Sequence, residues 1–103
     1  MAVAFVFEAS GLTQDEYDRI MAELAEKSGG DWTPAGALAH LAGPIDGGRW
    51  RVIDVWESED AANAFYGSDA FAPVREGTAG AELSTTPWAL HRTEVFQTFS
   101  QTA

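Results

Sequence analysis

Asp54 is the residue from which any chemistry in this chain has to start. It lies in the run Arg-Trp-Arg-Val-Ile-Asp-Val-Trp-Glu that ends at Glu57. Period-two alternation along a strand puts Trp50, Val52, Asp54 and Trp56 on one face and Arg51, Ile53 and Val55 on the other. A carboxyl between tryptophan walls has its neutral form favoured, which suits a general acid or base. His40 joins the same face if Ala37, Ala39 and Leu41, the apolar side of the preceding strand, turn towards the helices. A histidine there favours the ionised carboxylate, so the two can trade a proton near neutral pH. We therefore expect His40 and Asp54 as the catalytic pair. Trp56, Trp50, Leu38, Val52 and His91 form the expected substrate-binding wall. The alternatives are structural: Asp54 bonded to backbone or paired with Arg51 or Arg92 across a dimer, His40 as a satisfied histidine, and the tryptophans as core.

Other chemistries find little support. With no cysteine in 103 residues, disulfides, thiolate metal sites and thiol nucleophiles are excluded. No metal site is expected, because the two histidines lack paired spacing and His91 and Glu94, three apart on a strand, would point to opposite faces. Ser58 and Ser68 stand at helix starts, where capping explains them. Gly47-Gly48 is a turn with no following lysine or helix to cradle a phosphate. Sixteen acidic against six basic side chains give a formal net charge of −10. Phosphate backbones and anionic lipid would repel such a protein, so neither nucleic acid nor membrane is expected as a partner. The N-terminal apolar run has no basic flank and is too short to span a bilayer, which favours a cytoplasmic protein.

The elements that must hold these residues follow from pattern. Residues 2–8 are a Val- and Phe-rich strand. Thr13 with Glu16 forms a capping box, and Tyr17, Ile20, Met21 and Leu24 mark one face of an amphipathic helix ending near Ser28. Strand 2 covers residues 37–42, residues 43–48 read as a hairpin loop, and strand 3 covers 49–57. Ser58 caps a second helix, expected to break near Gly67 and Pro73 and resume to about Gly77. A last strand is expected over 88–99, where either Ala89, His91, Thr93 and Val95 or Leu90, Arg92, Glu94 and Phe96 line the cavity.

That order, β-α-β-β-α-β, is ferredoxin-like α+β with an antiparallel sheet, in a single domain spanning 1–103. Strands 1 and 3 are apolar on both faces, yet two helices cover only one. A second copy packed sheet to sheet would supply the missing cover, which predicts a homodimer and a shared α/β barrel. Because an aspartate in a dry helix–sheet seam is costly, we expect Asp54, Trp50 and Trp56 to face the space between the two sheets.

The stretch His-Leu-Ala-Gly-Pro from His40, followed by Gly-Gly-Arg-Trp-Arg-Val-Ile-Asp-Val-Trp-Glu-Ser from Gly47 and a short helix, resembles the antibiotic biosynthesis monooxygenase family. The resemblance covers nearly the whole chain. It implies a dimeric α/β barrel of bacterial secondary metabolism, in a family holding cofactor-free quinone-forming oxygenases, haem-degrading relatives and isomerases. In the quinone-forming members a tryptophan near the end of strand 3 lines the pocket, a position matched by Trp56. They carry an amide four residues earlier, where this chain has Val52. The haem branch uses a histidine in a helical context, and neither His40 nor His91 lies on an expected helix. Two functions result. One is an enzyme without a tightly bound cofactor, an oxygenase or isomerase/cyclase acting on a hydrophobic aromatic or polyketide-like metabolite. The other is a non-catalytic dimeric ligand-binding or accessory module.

Overall fold

The computed structural model describes residues 1–30, 32–97 and 99–101. Its elements are β1 (Val3–Ser10), α1 (Gln14–Lys27), β2 (Ala37–Ile45), β3 (Arg49–Trp56), α2 (Glu59–Tyr66), a 3-10 turn (Asp69–Phe71), α3 (Ala72–Gly77) and β4 (Glu82–Ala89). The four strands form one antiparallel sheet in the order β2-β3-β1-β4. This is the ferredoxin-like α+β arrangement read from the sequence, including the interrupted second helical segment. Among the described residues, no helix is long and apolar enough to cross a membrane.

The central pair β1 and β3 sets the two faces. Val3 opposes Trp56, Phe5 opposes Asp54, Phe7 opposes Val52 and Ala9 opposes Trp50. Directly opposed residues share a face, so these eight turn one way, towards the helices. Ala4, Val6, Ile53 and Val55 turn the other way, towards a face that no helix covers. His40 pairs with Asp54 across β2 and β3, which settles the hairpin register. A register shift between Ala37 and Ala39 marks a bulge at Leu38.

The start of α1 obeys local rules. Thr13 Oγ1 accepts from the Glu16 N–H at 3.1 Å, and the Glu16 carboxylate accepts from the Thr13 N–H at 3.0 Å. Ile20 and Leu24 on its inner face are buried. Midway along, α1 meets the end of α3 closely: a Cβ added to Gly77 would stand 2.5 Å from Ile20 Cγ1. Only glycine allows that approach without displacing Ile20.

The last strand lies earlier than the sequence suggested. Residues 82–89 form β4, and the described residues beyond it carry no strand, while Thr98 of the expected 88–99 strand lies outside the described residues. β2 likewise runs on through Gly43, Pro44 and Ile45, residues assigned to the loop. Both differences have one cause. Pro44 and Pro87 sit on the two edge strands, where a missing N–H need not break a ladder, so proline is tolerated inside the strand instead of ending it.

The capping box predicts a measurable loss. Thr13→Ala should lower unfolding free energy by about 1 kcal/mol in chemical denaturation, because the Glu16 amide loses its acceptor. An unchanged midpoint would contradict that role.

Candidate active site

Four side chains from four elements form one hydrogen-bonded chain against the sheet. His40 Nδ1, on β2, is 2.7 Å from Asp54 Oδ1, on β3. The other oxygen, Asp54 Oδ2, accepts from the Tyr66 hydroxyl of α2 at 2.8 Å. His40 Nε2 meets the Tyr17 hydroxyl of α1 at 2.5 Å. Trp56 Nε1–H in turn donates to the Tyr66 oxygen at 2.9 Å. A proton on Nδ1 satisfies every member: Tyr17 donates to Nε2, Nδ1–H donates to Asp54, and Tyr66 donates to Asp54. Aromatic rings pack the chain in place. Tyr66 meets Phe5 and Phe7 edge-on, each with ring centroids at 5.5 Å. Trp32 stands edge-on to His40 at 4.8 Å.

This geometry corrects the expected orientation of strand 3. Trp50, Val52, Asp54 and Trp56 face the helices, not the space between two sheets, and β2 turns with them: His40 lies under the helices, while Ala39 and Leu41, expected there, face away. The expectation rested on the cost of an unpartnered carboxylate in a dry seam. Asp54 is only 9% exposed, yet each of its oxygens has a partner, so the cost is offset. Nor is the seam closed. A cavity of about 150 Å³ opens between sheet and helices, walled by Phe7, Tyr17, Leu24, His40, Trp50, Val52, Asp54 and Phe65 among others. A shallower pocket of about 200 Å³ lies beyond, lined by Trp32, Pro34, Leu38, His40, Asp54 and Trp56. His40 and Asp54 belong to both walls.

The expected site residues thus divide. His40, Asp54, Trp50 and Val52 line the main cavity, while Leu38 and Trp56 line the second pocket with His40 and Asp54. Trp56 is 1% exposed and its N–H is committed to Tyr66. It therefore orients Tyr66 and offers a ligand little open face. His91 is not brought to these walls: it is exposed in the segment after β4 and lines neither pocket. Its placement followed the misplaced last strand. Tyr17 and Tyr66 were missed as site residues because their helical spacing reads as apolar face. The available signal was chemical, since a tyrosine on a buried face needs a partner for its hydroxyl. Among the described residues no cluster of three or more His, Cys, Asp or Glu side chains could hold a metal ion.

Electrostatics keep both tyrosines protonated. Burial, and then the Asp54 carboxylate, pushes the Tyr17 hydroxyl up to about 12. Tyr66 is raised further, by burial first and then by the charge and hydrogen bond of Asp54. At neutral pH each is a donor and not a phenolate nucleophile. Tyr17 ends the hydrogen-bonded chain at His40 Nε2, and Tyr17, His40 and Asp54 all line the main cavity.

No family model and no curated protein sequence matches the chain. Solved structures do, and several that share its fold are described as antibiotic biosynthesis monooxygenases or as an oxygenase. SnoaB from Streptomyces nogalater, a cofactor-independent oxygenase, superposes with a TM-score of 0.71 at 17% identity, over 89% of this chain and 95% of that one. A provisionally assigned antibiotic biosynthesis monooxygenase from Caulobacter crescentus gives 0.68 at 17% identity, over 90% and 91%. Rv0793 from Mycobacterium tuberculosis gives 0.67 at 16% identity, over 90% and 98%. At such identities the likeness establishes the fold.

Tyr17 and Tyr66 are the only tyrosines in the chain, so tyrosinate absorbance reports on this site alone. Their folded pKa values lie above the ordinary value of 10. The folded state therefore holds these protons more tightly. The associated stability is intact below pH 10 and is lost as pH rises from there towards the folded values. Native protein should show almost no tyrosinate at pH 10, where denatured protein is half ionised. Tyr17→Phe should make the alkaline loss of stability shallower. Native ionisation near pH 10 would contradict the network.

Proposed function

We propose that this chain is a small-molecule enzyme that uses no tightly bound cofactor, an oxygenase in type, acting on a hydrophobic aromatic metabolite between sheet and helices. The observation that carries this reading is the Tyr17–His40–Asp54 relay set in the wall of an otherwise apolar cavity. Buried polar groups that converge on a ligand-sized hollow are the usual mark of a reactive site. The fold shared with a cofactor-independent oxygenase adds support.

The relay suits removal of a proton from carbon activated by a ring and a carbonyl. The Tyr17 hydroxyl takes the substrate proton as its own passes to His40 Nε2. The imidazole acquires positive charge, and the Asp54 carboxylate on Nδ1 stabilises it. The substrate carbanion then reduces dioxygen: the methylene becomes a carbonyl, one oxygen atom enters the product, and the other leaves as water with the two hydrogens. The substrate itself is the reductant, so the balance needs only dioxygen. An isomerase would use the same first step and return the proton to a different atom.

A second copy of the chain completes the assembly in this proposal. The helix-free face exposes Leu41 and Trp88, 55% and 56% accessible, and the segment after β4 exposes Val95, Phe96 and Phe99. Large apolar side chains left open in this way are the kind of surface an association covers. We place the enzyme in the cytoplasm, in secondary metabolism.

Two measurements test these readings. Oxygen uptake is followed with a panel of aromatic ketones carrying an activated methylene, and products are weighed by mass spectrometry. Expected is a product richer by one oxygen and poorer by two hydrogens. Asp54→Asn and His40→Ala should each cut kcat/KM by about 100-fold or more while the protein stays folded. Wild-type rates in both variants, or binding without any turnover across the panel, would favour a non-catalytic ligand-binding module. Sedimentation equilibrium should give twice the 11.1 kDa chain mass. A stable, non-aggregating monomer would remove the dimer from the proposal.

A further inference from the structure

Trp50 is 7% exposed and lines the main cavity. Its indole Nε1–H is the one buried side-chain polar atom among the described residues that has no hydrogen-bond partner. Leaving such a donor unpaired in a folded protein is costly, and native chains rarely do so without reason. The other polar groups of this wall are engaged within the chain. Tyr17, His40 and Asp54 bond to one another and to Tyr66. The Thr78 hydroxyl donates to the Val74 carbonyl, and the Arg75 guanidinium donates to the Tyr66 and Ser68 carbonyls. The Trp50 N–H is thus a donor with no task inside the protein.

Position adds a second constraint. Trp50 and Asp54 share a face of β3 four residues apart, about 13 Å at the usual rise. Tyr17 links them: its ring centroid lies 5.1 Å from that of Trp50, while its hydroxyl reaches His40. A ligand held at Trp50 therefore lies along the tyrosine that begins the relay. Size adds a third. The cavity's 150 Å³ is close to that of an engineered apolar cavity that accepts one benzene ring. Sites for larger organic ligands usually start near 300 Å³.

We infer that the Trp50 indole N–H is the specificity donor of this site. It selects one- or two-ring aromatic compounds whose carbonyl or phenolic oxygen accepts its hydrogen bond. This deepens the proposed function and rests on the main cavity being the substrate site. Because Trp50 holds the oxygen and does not move the proton, its contribution is read in binding.

The probes are 1-tetralone, tetralin and xanthone: the bicyclic ketone, the same skeleton without oxygen, and a three-ring ketone. Isothermal titration calorimetry on the wild-type protein should give about tenfold tighter binding of 1-tetralone than of tetralin, the worth of one net hydrogen bond. Trp50→Phe, which keeps a flat ring and removes the donor, should bind the two alike. In a proton–nitrogen correlation spectrum, the indole signal missing from that variant should move downfield with 1-tetralone and stay with tetralin. Should Trp50→Phe fail to fold, this shift in wild-type protein decides the matter. Equal affinities in the wild type, a preference that survives Trp50→Phe, or an unmoved indole signal would overturn the inference. Xanthone binding more tightly than 1-tetralone would overturn its size limit. A ketone preference without oxygen uptake would support the inference and sink only the oxygenase reading, so the two failures are distinguishable.

Discussion

A buried carboxylate must be answered, and in this protein nearly everything around the site answers Asp54. One oxygen binds the imidazole of β2 and the other the phenol of α2, while α1 closes the chain through Tyr17. Removing a partner from a buried charge typically costs about 3–5 kcal/mol, more than the net worth of the bond itself. The helices are therefore docked on the sheet by the same bonds that arrange the reactive groups. Fold and site share these contacts, and Trp56 shows it plainly. Its indole fills the core beside Val3 and Ala62 while its N–H holds Tyr66 for the carboxylate.

The two faces of the sheet divide the labour. One carries the relay and the cavity. The other carries Val6, Ile53 and Val55 without helical cover, and ends in a cluster where Glu8 accepts from both Arg49 and Arg51 at 2.6 to 2.9 Å. Those guanidiniums, Arg51 first, hold Glu8 below the ordinary carboxylate range. The cluster gives the bare face one strongly polar corner. An apolar sheet with a charged corner fixes the orientation of whatever packs upon it, since misaligned charges would lose their partners.

Much of this was legible in the sequence because local rules act strongly. The capping box at Thr13, the break near Gly67, and the sharing of one face by Trp50, Asp54 and Trp56 all follow from spacing alone. His40 shares that face as well, although the expected orientation of β2 is reversed, with Ala39 and Leu41 turned to the helix-free side. The direction in which that face points was not legible. It depends on whether a buried aspartate finds partners, and those partners, Tyr17 and Tyr66, lie on helices whose apolar spacing hides their hydroxyls. The last strand was lost for a different reason. Residues 82–86 are mostly polar and Pro87 reads as a breaker, so an edge strand resembles a loop and His91 is drawn into a site it does not touch.

Gly77 gives the cavity a property that its lining alone would not reveal. Ile20 forms part of the cavity wall on one side and meets Gly77 on the other, with no room between them for a single methyl group. Bulk added at position 77 would push Ile20 inwards and narrow the hollow from behind. Trimming Ile20 would widen it. Neither change touches a member of the relay. The size of the hollow is thus set by a pair outside the hydrogen-bonded network, and it can be changed while Tyr17, His40 and Asp54 keep their places.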